Sequence, residues 1–102
     1  MNWYDYVTCF FAGAFLSNFI PHFIKGVTGD KFPTPFAKPP GKGQSPPFLN
    51  VLWGLTNLAI GLILVWRGKV FTGGYPSVIT MFIGFSLVGI LLSIFSSKIH
   101  HE

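Results

Sequence analysis

The stretch from Pro21 to Asn50 reads PHFIKGVTGDKFPTPFAKPPGKGQSPPFLN and decides the fold. It holds every proline of the chain except Pro76, and four of its seven basic residues, Lys25, Lys31, Lys38 and Lys42. The sequence on either side is mostly apolar. Prolines bias their neighbours towards extended backbone, and Gly26, Gly29, Gly41 and Gly43 allow turns. Phe32 and Phe36 alternate with prolines in FPTPF, and such rings have no reason to sit in water. The stretch is therefore expected to be an ordered, Pro/Gly-rich loop over residues 25–47, lying at a membrane surface or folded back on helix ends. Loops this long are uncommon in compact domains unless they are functional or disordered.

Working outward, the apolar segments have the length of membrane helices. The first runs from about Tyr6 to Ile24, and 19 residues at 1.5 Å rise reach ~28 Å, close to the hydrocarbon thickness. Trp3, Tyr4 and Tyr6 precede it like an interfacial aromatic belt. Pro21 near its end is expected to kink the helix, as a hinge, or to stop it. The second segment runs from Phe48 to Trp66 and is stopped by Arg67 and Lys69. A short connection through Gly68, Gly73, Gly74 and Pro76 leads to the third, at about 77–96, and a polar tail. The expectation is one all-α integral membrane domain, residues 1–102, with three transmembrane helices.

Composition agrees. Half of the 102 residues are hydrophobic and 10% are charged, against roughly 25% in soluble domains. The net charge of +4 comes mainly from lysines spaced by Pro and Gly, not from the basic stripe of a nucleic-acid module. Those lysines suit anionic head groups, so the partner is the lipid bilayer and no nucleic acid. The single cysteine, Cys9, permits no intramolecular disulfide. The first six residues hold no Lys or Arg, so the N-terminus reads as mature. Lys25, Lys31, Lys38, Lys42 and Lys98 on one side, against Arg67 and Lys69 on the other, put the long loop and C-terminus in the cytoplasm and the N-terminus outside.

The second helix carries a polar stripe. Asn50, Gly54, Asn57 and Gly61 are spaced by four, three and four, and fall on one narrow face with Trp53 beside it. An Asn in a bilayer needs a partner, and small neighbours let helices approach. The stripe is a packing face or the lining of a polar cavity. In the third helix, Ser86, Gly89, Ser93 and Ser97 form a small-residue face. In the first, Cys9, Gly13 and Ser17 form one line, and Ala14, Asn18 and His22 another if the helix continues through Pro21. His22 has no intramembrane acid to pair with, so a bond to a backbone carbonyl is expected. Paired carboxylates, a Cys/His metal set, a nucleophile motif and a dinucleotide loop are all missing from the pattern. No catalytic, metal or cofactor site is expected. The candidate polar site is His22, Asn18, Asn50, Trp53 and Asn57, with Phe32 and Phe36 as a partner-contact loop.

The run from Pro21 to Asn57 resembles a group of small bacterial membrane proteins with three predicted helices. They share the Pro-His after the first helix, the FPTPFAKPPG loop and the Asn-x-Leu-Trp-Gly entry to the second. The resemblance covers roughly the middle third. It implies the same architecture in a bacterial inner membrane, and no activity. Asn18-Phe19-Ile20-Pro21-His22 is also similar in place to the hinge of the SemiSWEET-type half-transporters, and Val51-Leu52-Trp53 to their second-helix entry. That resemblance implies a dimeric small-solute transporter. This chain departs from it in its long first connection and in lacking an Asn in the third helix. The leading expectation is a non-enzymatic accessory or scaffold subunit, working as a homo-oligomer or within a larger membrane complex.

Overall fold

The computed structural model describes residues 2–37 and 43–100, with side chains as far as residue 97. It is all-helical: α1 spans Trp3–Val27, α2 Pro47–Arg67 and α3 Tyr75–His100. Among the described residues, three helices are long and apolar enough to cross a membrane. α1 is the central element. α2 and α3 each pack on α1 and not on one another.

The helix ends differ from those the apolar runs suggest, and polar capping explains why. α1 starts at Trp3 because the Asp5 carboxylate accepts the Asn2 backbone N–H at 3.0 Å, satisfying a donor at the helix start. α1 then runs through Pro21 and on to Val27. It closes where Asp30 N–H reaches Lys25 O at 2.8 Å and Gly29 takes a φ of 79°. α2 starts on Pro47, whose missing N–H costs nothing in a first turn.

α1 presents two faces, and both rely on close backbone approach. Towards α3, a Cβ on Gly13 would collide with the Met81 carbonyl, and one on Gly84 with the Phe10 carbonyl. The two glycines are thus reciprocal gaps through which the α1 and α3 backbones meet. This corrects the sequence expectation for α3: Gly89 sits at the α1 contact, but Ser93 and Ser97 are exposed, and Gly84 makes the tight approach. Towards α2, the buried residues are Asn50, Gly54, Asn57 and Gly61. A Cβ on Gly54 would lie 3.0 Å from the Phe23 nitrogen. In lipid, where apolar side chains gain little by meeting each other, such approach lets dispersion contacts hold helices together.

These contacts predict a contrast within α3. Gly84→Ala should destabilise the protein in detergent by about 1–3 kcal/mol, the range for overpacking a tight contact. Gly89→Ala, whose Cβ would meet only Ser17 Oγ at 3.4 Å, should be nearly neutral. Thermal unfolding of the two variants compares them directly.

Candidate functional site

The polar residues of α1 and α2 converge at the end of the bundle where the connection between the helices folds back. His22 lies on α1 just past Pro21, and Asn50 lies in the first turn of α2. Both are buried, His22 at 4% exposure and Asn50 at 0%. The Asn50 Nδ2 group donates towards three carbonyl oxygens, Phe32 O at 3.0 Å, Ser45 O at 3.0 Å and Pro46 O at 3.2 Å. Carbonyl oxygens only accept, so the amide orientation is fixed by its surroundings. Asn50 Oδ1 must then face His22 Nδ1, 2.8 Å away. An amide oxygen also only accepts, which makes Nδ1 the protonated nitrogen of the neutral ring and leaves Nε2 with its lone pair.

The connection is tied down at the same place. Phe32 and Ser45 exchange backbone hydrogen bonds as an antiparallel bridge, at 3.3 and 3.0 Å. The Thr34 and Ser45 hydroxyls are 2.6 Å apart, and Phe36 N–H donates to Thr34 Oγ1 at 3.1 Å. One helical turn along from His22, Asn18 Nδ2 donates to Asn57 Oδ1 at 3.0 Å. Asn57 Nδ2 in turn donates to the Trp53 carbonyl at 2.7 Å. That second bond fixes the Asn57 amide, and through it the Asn18 amide, whose Oδ1 remains an available acceptor.

Two expectations are corrected by these placements. His22 bonds a side-chain amide and not a backbone carbonyl, because α1 continues past Pro21 and the carbonyls at its end are taken up by Thr28, Gly29 and Asp30. Phe32 is not a contact surface: it is 4% exposed and lies edge-on to the His22 ring, with centroids 5.2 Å apart. Phe36 is 60% exposed while its ring leans edge-on against Trp53 at 5.2 Å. Asn50 and Asn57 face α1 and are paired within the chain. Lys38 and Lys42 of the loop lie outside the described residues.

Sequence reasoning missed Thr34 and Ser45. Nothing in their spacing marks a hydroxyl pair, which exists only once the bridge has formed. Because α2 and α3 lie apart, a cleft of about 390 Å³ opens over α1 at this end. Asn18, His22 and Thr34 supply its polar lining, and Trp53, Phe95, Pro33 and Pro35 its apolar lining. Among the described residues no group of His, Cys, Asp and Glu is arranged to hold a metal ion. Compared with protein-family models, curated proteins and solved structures, the chain finds no match.

The hydrogen-bond pattern ranks the two buried asparagines. Asn50→Leu orphans His22 Nδ1–H and removes a second donor from three carbonyls that each keep a backbone N–H, whereas Asn57→Leu removes one bond between helices. The first should cost about 2–3 kcal/mol, the range for a buried donor left without its partner. The second should cost about 1 kcal/mol, as for single polar contacts in membranes. Unfolding in mild detergent measures both, and equal losses would contradict the ranking.

Proposed function

We propose that this chain is a non-enzymatic integral membrane subunit that acts by assembling, with copies of itself or within a larger membrane complex. The observation that carries the reading is the lopsided packing of α3. Of the other two helices it packs on α1 alone, and only 6% of its membrane-spanning window is buried, against 28% for α1, among the described residues. A helix so little used by its own chain offers an apolar side to a neighbour. The internal pairing of Asn18, Asn50 and Asn57 supports the same reading, since those groups are spent on holding the subunit together. Phe36, exposed beside Trp53, is the aromatic contact that the connection offers at one end.

On this reading the membrane is a bacterial inner membrane. The N-terminus lies outside, and the connection and C-terminus lie in the cytoplasm, following the lysine bias. The alternative, a dimeric small-solute transporter, draws on the cleft beside Trp53, with Pro21 as its hinge. Uptake into vesicles containing the purified chain alone would favour it over the subunit reading.

Mild-detergent extraction from the native membrane tests the proposal. The subunit reading expects a stable assembly larger than one chain by native mass spectrometry. Phe36→Ala should lower its recovery several-fold while membrane insertion is unchanged. A lone monomer, or recovery indifferent to Phe36→Ala, would count against it.

A further inference from the structure

The cleft over α1 has a chemistry that its role in packing does not require. His22 lines it, yet the residue is 96% buried by complement of its 4% exposure. Its Nδ1 is committed to Asn50 Oδ1. Its Nε2 has no hydrogen-bond partner among the described residues, and no described buried side-chain nitrogen or oxygen is left unpaired. Nε2 therefore reaches the cleft surface, as an acceptor held in place from behind. Asn18 adds a second acceptor, Oδ1, because its Nδ2 is given to Asn57. The Thr34 hydroxyl is already engaged by Ser45 and by Phe36 N–H.

The cleft thus offers two acceptors, and the second Asn18 Nδ2 hydrogen, beyond the one given to Asn57, is an amide donor on the same side chain. Trp53 from α2 and Phe95 from α3 bring aromatic surface, and no charged side chain lines it among the described residues. Among the described residues a charged ligand would find no counter-ion there to offset its lost hydration. A flat apolar ring would meet other rings, and a hydroxyl on it would find a directed acceptor. The cleft is shallow and open, with a volume of about 390 Å³, so a ligand would be covered on one side and face lipid on the other.

We propose that this cleft is a binding site for a neutral, flat, lipid-soluble molecule of phenol type, whose hydroxyl donates to His22 Nε2 while its ring lies between Trp53 and Phe95. The site is complete within one chain and does not depend on assembly. Approach through the bilayer suits such a molecule, because the surrounding helices are apolar.

The test uses the full chain in detergent micelles, with His100→Gln and His101→Gln so that His22 is the only histidine, and with ring nitrogen-15 label. The probe is 1-naphthol, and 1-methoxynaphthalene is the matched molecule without a donor. The expected result is a saturable upfield shift of the Nε2 resonance with 1-naphthol and not with 1-methoxynaphthalene. Trp53→Leu and Phe95→Leu should each weaken the naphthol response about tenfold, the loss expected from removing an aromatic wall. Phe95 lies outside the hydrogen-bond network, so its variant keeps the test valid if Trp53→Leu disturbs the fold. No saturable shift, the same shift with both probes, or a response indifferent to Phe95→Leu would overturn the proposal.

Discussion

An amide buried at the end of a membrane helix has to find partners for two hydrogens and an oxygen, because neither lipid nor apolar side chains supply them. Asn50 meets that demand by reaching in two directions. Its nitrogen gathers the carbonyls of Phe32, Ser45 and Pro46, and its oxygen takes Nδ1–H of His22. One side chain thereby connects α1, α2 and both sides of the Phe32–Ser45 bridge. The rest of that end of the molecule follows from it: the bridge is held over the helix ends, Phe32 is pressed against the imidazole, and the imidazole is held in one orientation.

The packing of the helices follows a second constraint. A bilayer removes much of the hydrophobic incentive for helices to associate, so contact depends on how closely backbones can come and on the few polar groups between them. α1 meets α3 through Gly13 and Gly84, and meets α2 through Gly54, Gly61 and the asparagine pairs. α2 and α3 stay apart, and the gap between them becomes the cleft beside His22. The same arrangement that leaves α3 with a bare side for a neighbour opens this cleft. Assembly and ligand binding, as proposed, use adjoining surfaces, since Phe36 leans on Trp53 of the cleft.

The three apolar runs are legible in the sequence because about 20 apolar residues satisfy the bilayer thickness by themselves. The α2 stripe is legible too, since Asn50, Gly54, Asn57 and Gly61 recur at helical spacing whatever they face. Helix ends are less so: Trp3, Tyr4 and Asp5 belong to α1 because of the Asp5 cap, and Lys25, Gly26 and Val27 belong to it because Pro21 removes one bond, not the helix. Gly84 was hidden among alternatives, since α3 offers small residues on more than one side and only α1 decides which is used. The tie from Asn50 to His22 spans 28 positions, and the Thr34–Ser45 pair exists only after the connection has folded back. No local pattern encodes either.

The protonation of His22 tests the central claim most directly. Ring nitrogen-15 spectra of the chain carrying His100→Gln and His101→Gln, recorded with the imidazole neutral and without added ligand, report which nitrogen bears the hydrogen. The account predicts a proton on Nδ1, seen as a one-bond coupling, and a bare Nε2, with that pattern lost in Asn50→Leu. A neutral ring protonated on Nε2, or a tautomer mixture unchanged by Asn50→Leu, would contradict it.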